Sequence, residues 1–171
     1  TFLFSEKAII ALTMTFVIIA RQIDLSVASI IAVSSVVLGY TTSLGYDTWL
    51  VLLLTLLSGT LCGAFNGAII TKFAIPSIIV TIGTMSLFRG LAYSFLEDSY
   101  YNKFPKLVGK LGGGYLFGYI PYAFLTFILL AFVFAFILHK TSIGKKIYSI
   151  GNNPDAAQYT GIAVDKYTFV L

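Results

Sequence analysis

The sequence predicts an all-α, polytopic membrane protein. Hydrophobic residues make up 58% of the 171 residues and charged residues 11%, against roughly 45–50% and about 25% in an ordinary soluble domain. The mean hydropathy is +0.92, and the apolar residues form runs long enough for the ~20-residue helix that crosses a bilayer. This composition excludes a soluble domain, a disordered tail and a disulfide scaffold.

Charged residues divide the chain into apolar segments, each of which predicts a helix. Membrane helices are expected near 25–45, 49–71, 75–96 and 120–138. A fifth helical element is expected near 8–20, and a further helix begins at about 167. The chain should therefore form part of a single transmembrane domain, 1–171, with about five membrane segments and the start of another, and with an N-terminal piece and a C-terminal half lying outside it.

The connecting segments predict the orientation in the membrane, because cytoplasmic loops carry an excess of lysine and arginine. Residue 72 and segment 139–166 carry more lysines than segment 97–118. The first group is therefore placed in the cytoplasm, and Asp47 and 97–118 outside, where 97–118 forms a loop with room for a short interfacial helix. The net charge of +4 comes from lysines and arginines spread along the chain, which does not indicate a nucleic-acid partner.

A polar stretch interrupts the first apolar segments at Arg21, Asp24 and Ser26. One interpretation is a simple cytoplasmic turn. The other is a discontinuous helix whose polar break lies in or near the membrane, with its free backbone groups facing a cavity. Arg21 and Asp24 would pair if the stretch were helical. The pattern leaves both interpretations open.

Small residues recur every four positions at Gly59, Gly63 and Gly67. Such a stripe lets two membrane helices approach closely and gain dispersion contacts, so it predicts helix packing. Asn66 lies on the same segment and is expected to form a hydrogen bond to a neighbouring helix.

Arg89 is a charge within an apolar segment. Such a residue tends to face a cavity or a charged partner. Alternatively, its side chain extends to the outer interface. Arg21, Asp24, Ser26, Asn66 and Arg89 are therefore the candidate pathway or structural polar residues.

Segment 150–162 predicts a short capped helix. Asn153 suits the N-cap, Pro154 the first helical position and Gly161 the position after the C-terminus. About two turns are too few for stability alone in water, so this helix is expected to dock on something. The alternative is an ordinary connecting helix.

The sequence offers no catalytic set and no metal site. It has one His and one Cys, and it lacks a Ser/His/Asp set, paired carboxylates and a phosphate-binding Gly-Lys-Ser/Thr loop. We therefore do not expect an enzyme.

Several separate motifs are similar to one family. They are 13–19 with 23–27; Gly63, Asn66 and Gly67; Pro76, 80–84 and 87–90; and Gly144, Tyr148, 151–153, 156–157 and 161–162. Together they resemble the permease subunits of bacterial ATP-binding-cassette sugar importers of the ribose type, with the greatest similarity to the rhamnose and autoinducer-2 branches. The family's usual Gly-Gly-Ile-Asp-Leu-Ser-Val-Gly stretch is changed here, since Arg21-Gln22 replaces the glycine pair and Ala28 the last glycine.

The resemblance implies a bacterial cytoplasmic-membrane permease that works with a second permease subunit, two ATPase domains and an external sugar-binding protein. ATP and Mg would be held by the ATPase, and this chain would bind no cofactor. Segment 139–166 would be a cytoplasmic loop containing a coupling helix. The coupling residues carried over are Asn152, Asn153, Ala156, Ala157, Gly161 and Ile162.

The main functional hypothesis is therefore a permease that moves a monosaccharide, or a similar polyol-like sugar, by alternating access. An ion-coupled secondary transporter is the second hypothesis, and it would need an ionisable residue at the bilayer midplane, for which Arg21, Asp24 and Arg89 are the candidates. A membrane assembly subunit that transports nothing is the third.

Overall fold

The computed structural model describes residues 2–96, 101 and 104–171, most of which are α-helical. The chain divides into two compact units. Unit 1 comprises residues 1–22, 108–169 and 171, and unit 2 comprises residues 23–107 and 170.

Unit 2 contains three helices close to the predicted positions: α2 (Val27–Ser43), α3 (Thr48–Phe73) and α4 (Ser77–Leu96). Asp47 caps α3, because its side chain accepts a hydrogen bond from the Trp49 N–H at 3.0 Å and so satisfies one of the free donors of the first turn. Helix α3 ends at Phe73, and the next residue, Ala74, has a left-handed φ of 52° and directly precedes the Ile75-Pro76 step.

The other helices are α1 (Phe2–Ile19), α5 (Lys106–Gly113), α6 (Tyr122–Lys140), α7 (Ser142–Asn152), α8 (Pro154–Tyr159) and α9 (Val164–Val170). In unit 1, α1 packs on α6, and the rings of Phe16 and Phe134 meet edge to face with their centroids 5.1 Å apart. Helix α1 is longer than the predicted element at 8–20, since it continues through the charged residues Glu6 and Lys7.

Within the described residues, α3, α4 and α6 are long and apolar enough to cross a membrane, and α2 is apolar but shorter at 17 residues. Large apolar side chains on these helices are exposed, including Leu56 at 70% and Phe132 at 73%. Such surfaces are stable against lipid or another membrane chain. The predicted polytopic helical fold is confirmed.

Two elements differ from the sequence-based expectation. The first is in the predicted loop at 97–118: its short helix, α5, agrees with the expectation, but the chain then forms an unexpected antiparallel hairpin, β1 (Tyr115–Leu116) with β2 (Ile120–Pro121). Its turn places Phe117 and Gly118 at φ values of 51° and 79°, and a phenylalanine gives no sequence signal for that conformation. Residues 97–100 and 102–103 of the predicted loop lie outside the described residues.

The second unexpected element is α7, which occupies part of the predicted cytoplasmic loop. Its buried residues are Gly144, Ile147 and Ile150, a spacing of three that marks one face of a helix. A side chain at Gly144 would collide with the Leu138 carbonyl, and one at Gly151 with the Ile19 carbonyl. These glycines therefore permit the close approach of α7 to the end of α6 and to the end of α1.

Helix α1 ends in a Schellman motif. The Gln22 N–H donates to the Val17 carbonyl and the Arg21 N–H to the Ile18 carbonyl, both at 3.0 Å. Arg21 takes the left-handed position of the motif with φ at 60°, where glycine is the usual residue. The family that the sequence resembles usually has a glycine pair at positions 21 and 22. Here Arg21 adopts the left-handed conformation at a cost in free energy.

Arg21→Gly should raise the free energy of unfolding by up to about 1 kcal/mol, because it removes the left-handed strain at a modest cost in chain entropy. Arg21→Val should lower it by about 1 kcal/mol, because a β-branched residue tolerates positive φ poorly. Reversible unfolding of the purified protein in mixed micelles measures both changes.

Gln22→Gly is the matched control, because Gln22 is not among the residues with positive φ. It should destabilise, since glycine adds conformational freedom to the unfolded chain. Equal effects of glycine at positions 21 and 22 would contradict the assignment of strain to Arg21.

Candidate functional site

Residues 20–26, between α1 and α2, are not helical, and the backbone of Ile23 is bonded to α4. The Ile23 N–H donates to Ser77 Oγ at 3.0 Å. The Thr81 hydroxyl shares its proton between the Ser77 carbonyl of its own helix, at 2.8 Å, and the Ile23 carbonyl, at 3.3 Å. Ser77 and Thr81 are both buried. Since unpaired backbone groups are costly away from water, these hydroxyls stabilise the break as part of the helical unit.

Asp24, Ser26 and Asn66 form a connected polar network. Asp24 Oδ1 accepts from the Ser26 N–H at 2.7 Å and from Ser26 Oγ at 2.6 Å. Asn66 Nδ2, on α3, donates to Ser26 Oγ at 2.8 Å. Ser26 and Asn66 are 0% and 4% exposed, so the start of α2 is joined to α3 by a buried bond.

The order of donors and acceptors in this network is fixed. A carboxylate oxygen only accepts, so the Ser26 hydroxyl must donate to Asp24 and can only accept from Asn66. The Asn66 amide must therefore turn its nitrogen towards Ser26. Its oxygen, Oδ1, is buried without a hydrogen-bond partner among the described residues.

Neither Arg21 nor Arg89 contributes a hydrogen bond to this network, which consists of Asp24, Ser26 and Asn66. The stretch that holds Arg21 and Asp24 is not helical, so the geometry required for their predicted pairing is not formed. Arg89 is exposed on α4 and lines an open cleft together with residues of α2.

The three glycines of the α3 stripe have different surroundings. A Cβ at Gly59 would lie 3.1 Å from Ser34 Oγ of α2, whereas a Cβ at Gly63 would meet no atom within 4 Å in the described residues. Gly67 is buried in unit 2. Gly59 therefore faces α2, while the surface at Gly63 is open.

Helix α8 has the predicted local structure. The Asn153 side chain accepts from the Ala156 N–H at 3.1 Å, and Pro154 occupies the first turn. Gly161 has a φ of 85° in a second Schellman motif, in which the Ile162 N–H donates to the Ala157 carbonyl at 3.1 Å. Both ends of this two-turn helix are thus capped.

The two alanines of α8 face different ways. Ala157 is 1% exposed, so it packs against its own unit and has no free surface for a partner. Asn152, Asn153, Ala156 and Gly161 are exposed, Ile162 is half-buried, and Tyr159 is 92% exposed. Sequence reasoning missed Tyr159, although an aromatic residue two positions before the terminal glycine is a readable signal.

The helices before and after α8 contact each other. Lys146 of α7 donates from Nζ to the Tyr167 hydroxyl of α9 at 3.0 Å, and the ammonium lies 5.3 Å from the centroid of that ring. The residues on either side of α8 are therefore joined by one contact that combines a hydrogen bond with a cation–π interaction.

The described residues contain no group of three or more His, Cys, Asp or Glu side chains arranged to hold a metal ion. Ser77 and Thr81, which bind the break, were also missed from the sequence. Hydroxyls at spacing i, i+4 on an apolar helix often bond to their own backbone, so the sequence does not reveal that these two bind another segment.

Comparison with known proteins identifies one family. The model of the family described as branched-chain amino acid transport system / permease component matches residues 1–171. No solved structure matches the chain.

The curated relatives include the autoinducer 2 import system permease protein LsrC from several bacteria. The protein of Escherichia coli O9:H4 (strain HS) is 34% identical over 95% of this chain and 47% of its own length. That of Photorhabdus laumondii is 33% identical over 99% of this chain and 52% of its own length. The chain thus spans about half the length of the curated relatives it matches.

Ser26→Ala should lower the free energy of unfolding by about 1–2 kcal/mol, because it breaks the bond to Asn66 and leaves a second buried amide atom without a partner. Unfolding in mixed micelles measures the change. Ser29→Ala is the matched control, because Ser29 is equally buried but its hydroxyl bonds only to the local Ser26 carbonyl. Equal losses for the two variants would contradict the role assigned to Ser26.

Proposed function

The chain belongs to the permease family of branched-chain-amino-acid-type transport systems, and on this premise we propose that it is the membrane-spanning part of an importer for a small, polyhydroxylated, sugar-like solute. Movement of the solute would occur by alternating access. Hydrolysis of ATP would take place on a separate ATPase, so the chain itself would act as a transporter subunit without catalysis.

The observation that carries the proposal is α8, a short helix capped at both ends that exposes Ala156 and Tyr159. Two turns of helix are not stable alone, and here the element rests on Ala157, which is buried in unit 1. The outward face then remains free to fit into a cleft of an ATPase. A push on α8 would pass to α7 and from there to α1, which the close approach of Gly151 joins to α7.

The remaining parts of the proposal follow from the same premise. The importer would contain a second permease subunit, two ATPase domains that bind ATP and Mg, and an extracytoplasmic binding protein. The chain would lie in the bacterial cytoplasmic membrane, with Lys72 and segment 139–166 in the cytoplasm. The relatives are named for the import of autoinducer 2, which makes this solute the first to test.

The deciding experiment is solute uptake by cells in which the gene of the full-length protein is deleted and then restored. Labelled autoinducer 2, L-rhamnose and D-ribose are offered to both strains. We expect one of them to enter only when the gene is present, and uptake to stop when ATP is depleted but to continue when an uncoupler collapses the proton gradient. Equal uptake by both strains, or uptake abolished by the uncoupler at high ATP, would contradict the proposal.

Tyr159→Ala should reduce solute uptake and solute-stimulated ATP hydrolysis together by about tenfold, because an exposed aromatic residue that becomes buried in an interface often contributes about 1–2 kcal/mol or more. Copurification with the ATPase measures the loss of docking directly. Gln158→Ala is the control, because Gln158 is an exposed neighbour on the same helix and should cost little. Normal ATPase recovery with Tyr159→Ala would show that this face of α8 does not dock.

A further inference from the structure

Unit 2 contains an open cleft of about 520 Å³ between α2 and α4. This volume falls within the roughly 300–1,000 Å³ of small-molecule sites. Tyr101 and Phe104 contribute aromatic rings to the lining, and its polar groups are those of Ser35 on α2, of Arg89 and Tyr93 on α4, and the hydroxyl of Tyr101. The lining is thus mainly apolar, with a few hydrogen-bonding groups.

Arg89 is the unusual member of this wall. It lies seven residues before the end of α4, which corresponds to about 10 Å along the helix axis, and its side chain is exposed. A guanidinium group that faces hydrocarbon at this depth is costly. The arginine is therefore best accommodated if the cleft holds water or a polar solute.

Gly39 leaves the space that the Tyr101 side chain occupies. A Cβ at Gly39 would lie 2.6 Å from the Tyr101 Cβ and 2.7 Å from its Cγ, which is closer than non-bonded carbon atoms approach. Even an alanine at position 39 would thus force the tyrosine to move. The aromatic part of the cleft lining depends on a glycine that no packing stripe in the sequence identifies.

The cleft lies away from the buried polar network. Ser26 and Thr81, near the first residues of α2 and α4, belong to the end of unit 2 where the break is bonded, whereas Arg89 and Tyr93 belong to the second half of α4. The lysine distribution predicts that Lys72 lies in the cytoplasm. Since α4 begins shortly after Lys72, we expect the cleft, at the second half of α4, to lie towards the external side.

We propose that this cleft binds one neutral, polyhydroxylated ring and that Arg89 and Tyr93 select it. The identity of the ligand rests on the proposed function. Arg89 offers five N–H donors in a fixed plane, which suit adjacent hydroxyl oxygens, and the Tyr93 and Ser35 hydroxyls both donate and accept. The rings of Tyr101 and Phe104 would cover the C–H face of the ligand. One cation among three aromatic side chains suits such a ring better than a multiply charged anion.

The test measures occupancy of the cleft without requiring transport. Ser35→Cys is introduced into the full-length protein after its native cysteines, including Cys62, have been replaced by alanine. Labelling with a membrane-impermeant maleimide is followed in intact spheroplasts, with autoinducer 2 and L-rhamnose as probes. We expect one probe, at about ten times its Kd, to slow labelling about tenfold, since protection scales as 1 + [L]/Kd.

Ser34→Cys is the matched control for accessibility. Ser34 Oγ faces Gly59 of α3 and does not line the cleft, so its labelling should be slow and unaffected by the probes. Absence of labelling at position 35 would overturn the proposal, because the cleft would then face lipid.

Selectivity is tested by the affinity calculated from protection at position 35. Arg89→Gln should weaken binding about 10–100-fold, as expected for loss of a hydrogen bond to a charged donor, and Arg89→Lys should restore part of it. Tyr93→Phe should weaken binding about threefold to tenfold. Tyr40→Phe, a half-exposed tyrosine of α2 outside the cleft, should change nothing. Gly39→Ala should weaken binding by displacing Tyr101.

An anionic lipid headgroup is the competing ligand. Protection by phosphatidylglycerol in nanodiscs, with none by either sugar-like probe, would overturn the proposal in favour of a lipid site. Protection that persists in Arg89→Gln at unchanged affinity would also overturn it. If a probe protects position 35 but the protein shows no ATP-dependent uptake, binding in the cleft is supported and the proposed function is contradicted. If uptake occurs with a KM that Arg89→Gln does not change, the proposed function is supported and binding in the cleft is contradicted.

Discussion

The requirement that most constrains this structure is that a backbone leaving helical geometry inside an apolar protein must find new hydrogen-bond partners. The break before α2 meets this requirement with hydroxyl groups. Ser77 and Thr81 of α4 bond to both backbone groups of Ile23, and Asp24 accepts a bond from the N–H of Ser26, the N-cap residue of α2. The polar stretch thereby becomes part of a helical unit, and its bond to Asn66 joins α2 to α3.

The helices and caps were predictable because their signals are local. Apolar runs between charges located α2, α3, α4 and α6 to within a few residues, and the order Asn153, Pro154, Gly161 predicted both ends of α8. The hairpin was not predictable, because its turn uses Phe117 at positive φ, which the side chain disfavours. Helix α7 was missed because its two buried isoleucines lie among lysines in a segment interpreted as a loop.

In the candidate sites, too, local signals could be read from the sequence and tertiary contacts could not. The sequence identified Asp24, Ser26, Asn66 and Arg89 as polar residues in apolar surroundings, but it could not indicate that the first three meet while Arg89 lies on a different part of unit 2. That information depends on how the helices pack. Ser77, Thr81 and Gly39 were missed for a related reason, since small and hydroxyl residues are common on membrane helices and only their tertiary neighbours reveal what they do.

The contact between Lys146 and Tyr167 has a mechanical consequence for the segment that it encloses. Because α7 and α9 are joined by this contact, α8 is supported at two points and the chain around it forms a closed ring. This contact, worth about 1 kcal/mol, opposes rotation of α8 about a single hinge, so a displacement applied at Tyr159 would be shared by both supports. The stiffness of so short a helix is therefore a property of the whole ring, and it would fall if either the ammonium group or the aromatic ring were removed.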